Sequence, residues 1–375
     1  MPAKETLVTT TSSPADRPPL PILDLARLDG GAADRTLFLS DLRAAIRRFG
    51  AFYVTGHGVD AAFLDAVFDL SRAFFTLPER DKLSIEMVNS PHFRGYTRAG
   101  WERTRGRADW REQLDVGSER EALPWGPGSP PWVRLQGPNQ WPDALPGLRP
   151  AVLRLQEELT ALSRRLLSAV AVALRLPEDA FAPILTDRPT QLIKLIRYPG
   201  HDAIAPDDGA SDDGEGQGVG PHKDSGLLTL VLQHRQSGLQ AETDGGWADV
   251  PPVPGTFVVN AGELLELATN GYFRAAVHRV VTPPAGVDRL STAFFLGAGL
   301  DVRVPVLPLP DDLAAEARGP EQDPLNPLFA SVGENTLKSR LRSHPDVAQR
   351  HYADLVGPPP DRHPTSESPK REHTR

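Results

Sequence analysis

From Gln191 onward the chain breaks into short runs rich in β-branched and aromatic residues: LIKLIRY, LLTLVLQ, GLQAET, GTFVVN, AAVHRVV, LSTAFFL and DVRVPVL, separated by Gly, Asn and Pro. No run is long enough to be stable alone, so each must pair and bury a face against the others. Short strands at a spacing of roughly 8–15 residues predict a sandwich or jelly roll.

The half before Gln191 reads differently. LPILDL (20–25) predicts a short strand. Thr36 to Phe49 carries Leu39, Leu42, Ala45, Ile46 and Phe49 at helical spacing, and the strand AFYVTG follows. Ala61 to Phe75 repeats the helical pattern and stops at Leu77-Pro78, where proline disfavours continuation. Residues 117–150 hold many of the 38 prolines and predict an irregular crossing. Beyond it, Val152 to Leu176 places Leu155, Leu159, Leu162, Leu166 and Val170 on one face and predicts the longest helix. Gly200 to Gly220 is acidic and Gly-rich, either a mobile flap or a tolerated insertion. The polar, Pro-rich ends, 1–19 and 357–375, predict disordered tails.

Several chemistries are excluded by composition. The chain has no cysteine, which removes disulfides, thiolate zinc sites, iron–sulfur clusters and cysteine nucleophiles, so any metal is held by nitrogen and oxygen. A net charge of −8 leaves no basic stripe for nucleic acid. The start lacks the apolar stretch of a secretory signal, and no apolar run approaches the ~20 residues that cross a bilayer. A cytoplasmic protein without a membrane or nucleic-acid partner is expected.

Within this frame GPHKDSGLLTLVL places His222 and Asp224 one residue apart, directly before a β run. On extended backbone, residues i and i+2 share a face, so imidazole and carboxylate can reach one ion together. The motif alone is weak, and His344-Pro345-Asp346 repeats it in a helix-like stretch with no strand beside it, where it is read as a decoy. His278, inside AAVHRVVTP, supplies the third element. Two imidazoles and one carboxylate on one side of an ion leave open positions, the arrangement of non-haem Fe(II) sites.

The residues around these three resemble the 2-oxoglutarate-dependent dioxygenases of the isopenicillin N synthase-like family. Between the ligands, the order Gln240, Trp247, Val250, Pro251, Asn260-Ala261-Gly262, Asn270-Gly271 and His278-Arg279-Val280 is similar to that family's. Arg289-Leu290-Ser291 resembles its Arg-x-Ser element, and Tyr198 matches a family tyrosine standing before a proline. LPILDL, FGAFYVTGHGV and PHFRGYTRAGWERTRGRADWREQLDVG are similar to its N-terminal module, in which His57 is read as structural. The likeness spans about residues 18–355.

What the resemblance implies is an α+β fold, with a double-stranded β-helix (jelly roll) core, an N-terminal helical module and a long helix packed on the sheet. The parts expected are a module at 20–120, the crossing and long helix at 121–190, the catalytic core at 191–310 and a C-terminal helical segment at 311–356. It implies Fe(II) on His222, Asp224 and His278, and 2-oxoglutarate held by Arg289 and Ser291 with Tyr198 beside it. Guanidinium offers a planar fork of donors that matches a carboxylate. The activity implied is O2-dependent hydroxylation, desaturation or cyclisation of a small organic substrate, with succinate and CO2 as co-products, in a monomer or weak homo-oligomer. Arg94 and Tyr96, with Trp101 and Arg103 nearby, are expected at the pocket mouth. One departure matters: Ile196-Arg197-Tyr198-Pro199 stands where plant members have Asn-Tyr-Tyr-Pro. That form is closer to isopenicillin N synthase, so an Fe(II) oxidase independent of 2-oxoglutarate is the alternative.

Overall fold

The computed structural model describes residues 19–200, 217–321, 323–324 and 326–357. The expected tails, apart from Pro19 and Gly357, and most of the acidic Gly200–Gly220 stretch lie outside the described residues.

The first half supplies β1 (Ile22–Asp24), α1 (Ala32–Phe49), β2 (Ala51–Thr55), α2 (Ala61–Phe75) and α3 (Glu79–Leu83), then β3 (Gly95–Thr97), β4 (Arg103–Thr104), β5 (Arg107–Ala108), β6 (Glu112–Gly117) and α4 (Leu148–Ala173). The second half supplies β7 (Gln191–Tyr198), β8 (Gln217–His222), β9 (Leu228–Gln233), β10 (Leu239–Thr243), β11 (Gly246–Asp249), β12 (Phe257–Ala261), β13 (His278–Val281) and β14 (Arg289–Leu296). Helices at Val332–Ser343 and Pro345–His351 lie near the C-terminal end.

Local chemistry explains the boundaries. Asp60 caps α2 by accepting from the backbone N–H groups of Ala62 and Phe63. α1 stops at Gly50, whose φ of 65° is the left-handed turn that glycine adopts without strain, and a Cβ there would lie 2.8 Å from the Arg274 carbonyl oxygen. DVRVPVL forms no strand, contrary to expectation. Pro305 and Pro308 cannot donate to a ladder, and only an isolated bridge joins Arg303 to Ser331.

Two sheets result. The larger runs β1-β2-β12-β9-β14-β7-β6-β3 and the smaller β11-β10-β13-β8. All pairs are antiparallel except β1 with β2. The N-terminal strands are thus not a separate body. β2 extends the larger sheet beyond β12, and β6 with β3 extends it beyond β7.

Strand alternation sorts side chains into two cores. Leu114, Ile193, Leu195 and Phe294 face a helical layer in which α4 packs Leu155, Leu159, Leu162 and Leu166. α4 crosses β7, β14 and β9, as a long helix packed on the sheet was expected to do. On the opposite face Ile196, Tyr198, Val231 and Ala293 meet Val219, Leu239, Ala241 and Val280 of the smaller sheet.

Candidate metal centre

β8 ends on His222, β13 opens on His278, and the ladder sets the two directly opposite one another. His278 also lies opposite Ala241, an inner-core residue, so both imidazoles face the space between the sheets. Asp224 is not on the strand: β8 stops at His222, and the bend that follows returns the carboxylate toward the rings. Asp224 Oδ1 lies 3.7 Å from His222 Nε2, and its Oδ2 lies 3.7 Å from His278 Nε2. These gaps are too long for hydrogen bonds. They fall within the ~3–4 Å that separates donors each about 2.1 Å from one ion.

The hydrogen bonds behind the rings fix which nitrogen is free. His222 Nδ1 lies 2.9 Å from the Gly220 carbonyl oxygen and His278 Nδ1 lies 3.1 Å from that of Ala276. A carbonyl only accepts, so each Nδ1 carries a proton, and Nε2 is the nitrogen left on the side of Asp224 to act as a ligand atom. Burial, reinforced by the neighbouring His278, pulls the His222 pKa down to about 4, so the ring is neutral at pH 7, the form that can bind a metal. Burial alone would raise the Asp224 pKa, but His278, His222 and the Asn260 amide hold it below the ordinary value. Asn260, on β12, donates to Asp224 Oδ2 at 3.3 Å.

The Asp224 bend depends on a close approach. Glu263 N–H donates to the Asp224 carbonyl, and a Cβ on Gly262 would lie 2.2 Å from the Gly226 carbonyl oxygen. Among the described residues, these three side chains are the one group of His and acidic residues with ligand atoms within 4.8 Å of one another. His344 instead lies near Glu102, and no such group forms around it. His57 hydrogen-bonds to Gly255 and packs on Phe257, remote in role from the triad.

Arg289 and Ser291 lie on β14, and Tyr198 is paired opposite Arg289. Arg289 is 1% exposed. It donates to Ser291 Oγ at 3.2 Å and to Gln233 Oε1 at 2.9 Å, while its Nε has no partner. No carboxylate pairs with it among the described residues. A buried guanidinium without a counter-ion is costly, and the far carboxylate of a keto acid would complete it. Tyr198 sits under its charge, with the guanidinium carbon 4.8 Å from the ring centroid. The residues therefore fit both groups: two imidazoles and a carboxylate for iron, and a buried cation without a carboxylate partner for the keto acid.

Arg94 and Tyr96 are not at this site. β3 pairs with β6 so that Tyr96 lies opposite Leu114, which turns it to the helical face. Its hydroxyl donates to Glu112 at 2.6 Å. Arg94 donates to the carbonyls of His92 and Leu135 and pins a loop. Trp101 is half-exposed and Arg103 lies on the β4–β5 hairpin. Sequence reasoning missed other groups on the sheet face shared with Ser291. Gln233 supports Arg289, and Arg111, Lys194, Glu102 and Asp109 form a buried charge network. Its one sequence signal was the lone lysine interrupting LIKLIRY.

Comparison with known proteins agrees with the geometry. Residues 189–298 match the model of the 2OG-Fe(II) oxygenase superfamily, and residues 20–144 match that of the N-terminal region of the non-haem dioxygenases in morphine synthesis. The 2-oxoglutarate-dependent dioxygenase frbJ of Dothideomycetidae sp. (strain 11243) is 36% identical over 90% of this chain and 93% of its own length. A homoarginine-6-hydroxylase of Oryza sativa subsp. japonica is 33% identical over 76% of this chain and 87% of its own. A solved 2OG-Fe(II) oxygenase family protein from Caulobacter crescentus superposes with a TM-score of 0.67 at 30% identity, covering 87% of this chain and 99% of its own.

Proposed function

Because this chain belongs to the 2OG-Fe(II) oxygenase superfamily and is an iron- and 2-oxoglutarate-dependent dioxygenase, we propose that His222, Asp224 and His278 hold the ferrous ion and that Arg289, Ser291 and Tyr198 receive the co-substrate. The observation that carries this assignment is the convergence of three ligand atoms beside a buried guanidinium without a carboxylate partner. The two facing sheets are read as the double-stranded β-helix, with residues 191–310 as the catalytic core. Residues 20–120 form the N-terminal module, 121–190 the crossing and long helix, and 311–356 the C-terminal helical segment.

When bound, iron and 2-oxoglutarate supply an O2-dependent oxidation that releases succinate and CO2. The chain's own residues prepare it. The Gly220 and Ala276 carbonyls hold the rings with Nε2 inward, and Asn260 orients the Asp224 carboxylate. Arg289 and Ser291 fix one end of the keto acid, so its other end is presented to the ion in one orientation. Asp224 and His278 are buried between the sheets, which limits the access of water to the reacting centre. Hydroxylation of a small organic molecule is the reaction favoured here, and the rice relative's name describes one of that kind. The protein is read as a monomer or weak oligomer of the cytoplasm. No described helix is long and apolar enough to cross a membrane.

The test is anaerobic addition of 2-oxoglutarate to the iron-loaded protein. The visible charge-transfer band of the chelate should appear, and should fail to appear in His278→Ala. A band that survives this substitution would remove His278 from the ligand set.

A further inference from the structure

Cross-strand pairing extends the site face of the larger sheet beyond Arg289 and Ser291. Ser291 lies opposite Ile196 and Ile196 opposite Gln113, while Ala293 lies opposite Lys194 and Lys194 opposite Asp115. Past Ile196 this wall is entirely polar. Arg111, just ahead of β6, donates to Glu102 at 2.7 Å, and Lys194 donates to the same carboxylate at 2.8 Å. Asp115 accepts from Gln113 at 2.8 Å and from Arg340 of the C-terminal helix at 3.0 Å. Arg111, Glu102, Gln113, Asp115 and Lys194 are each more than nine-tenths buried.

This wall adjoins the metal centre. The segment that carries Arg111 is bonded to β8, the strand that ends on His222: Trp110 N–H donates to the Gln217 carbonyl at 2.9 Å, and Asp109 accepts from the Gly220 N–H at 3.3 Å. Of the two buried guanidiniums, Arg289 faces the co-substrate. The other keeps an unmet donor, since Arg111 Nε has no hydrogen-bond partner, and on the same wall Gln113 Oε1 is an acceptor without one. Arg111 is already paired with Glu102 and Asp109, so what remains unmet is one Nε donor and, on Gln113, one acceptor; a ligand that satisfies both brings an acceptor oxygen and an N–H donor a short distance apart. An apolar substrate would leave both groups buried and unmet, which is strongly unfavourable.

We infer that the substrate is a free amino acid or a similarly small zwitterion, whose carboxylate is received by Arg111 and whose ammonium group faces Gln113 and Asp115. This deepens the proposed function and rests on it for the identity of the adjoining metal site. Arg111 thereby determines specificity: it selects for a carboxylate, while Glu102 on its other side keeps the guanidinium in place.

The test titrates the common L-amino acids, together with the decarboxylated amine and the deaminated acid of each, into the anaerobic complex with iron and 2-oxoglutarate. The chelate band is followed spectroscopically and heat of binding by calorimetry. At least one amino acid should move the band and raise succinate formation in air, and its two analogues should bind about tenfold or more weakly. Arg111→Gln should weaken the amino acid by a similar factor, yet leave binding of the decarboxylated amine nearly unchanged, because that ligand has no carboxylate to lose. If Arg111→Gln does not fold, the ligand-side comparison on the unaltered protein decides alone. The inference is overturned if no amino acid binds, if the decarboxylated amine binds as tightly as its parent, or if the variant weakens both alike. Absence of the band with amino-acid binding still seen by calorimetry would count against the metal site instead, leaving Arg111's role standing.

Discussion

His222 and His278 face each other across one rung of the β8–β13 ladder with ring centroids 4.3 Å apart, though 55 residues of other structure lie between them in the chain. Each ring is held by a carbonyl two residues before it, Gly220 for one and Ala276 for the other. The same local device, used twice, aims two ring nitrogens at one point.

Asn260 is the outer support of that point. Asn260→Ala removes the donor to Asp224, and iron affinity should fall by roughly 10–100-fold, as for other groups that orient metal ligands. Titration with Fe(II) under anaerobic conditions measures it. An unchanged affinity would show that Asp224 is held by its backbone bend alone.

Arg289 should govern the co-substrate and not the metal. Arg289→Ala should raise the 2-oxoglutarate concentration for half-saturation by about tenfold to a hundredfold, the loss expected for a charge-assisted hydrogen bond, with iron affinity retained. Arg289→Lys should recover only part, because an ammonium lacks the planar fork.

Asp109 clamps the segment carrying Arg111 onto the metal strand. Its carboxylate accepts from Gln217 at 3.0 Å, from the Gly220 N–H at 3.3 Å and from Thr104 at 2.7 Å. Asp109→Ala should cost on the order of 3 kcal/mol of stability, because it strips a fully buried group from several donors and from Arg111. Denaturant unfolding checks this. Asp109→Asn, which keeps an acceptor, should lose less.

Glu263 sets a stability slope with pH. Burial pushes its carboxyl pKa up to about 7. The folded state therefore holds the proton more tightly than the unfolded one, and the stabilisation is complete below the ordinary value near 4.5 and lost as pH rises through 7. His222 acts oppositely, since its depressed value removes stability as pH falls from 6.5 toward 4. Comparing Glu263→Gln with the unaltered, metal-free protein isolates the first effect. The variant should gain on the order of 1–3 kcal/mol relative to the parent between about pH 5 and pH 8. Parallel profiles would show that Glu263 titrates normally.

The parts of this fold legible in the sequence are those whose information is local. Periodicity placed α1, α2 and the long helix, and β-type runs bounded by Gly, Asn and Pro placed β7 and β14. β8 was invisible because QGVGPH has little strand propensity, and it is held extended by its pairing with β13. The convergence of His222, Asp224 and His278 was legible because a short motif sat beside a strand and a third candidate followed in ordered company. Tyr96 was misplaced for a different reason. Its segment was known, but which face it takes is set by register with β6, and a shift of one residue would reverse it. The buried network around Glu102 draws on residues from β6, β7 and the C-terminal helix, and no spacing rule connects such distant positions.

Because β2 closes the flank of β12 while β6 and β3 close the flank of β7, the catalytic half owes both of its sheet borders to polypeptide made before it. A fragment beginning after residue 120 would present two rows of open backbone donors and acceptors, and such borders recruit other chains. Cutting the protein between its two family-matched regions would therefore yield aggregating material.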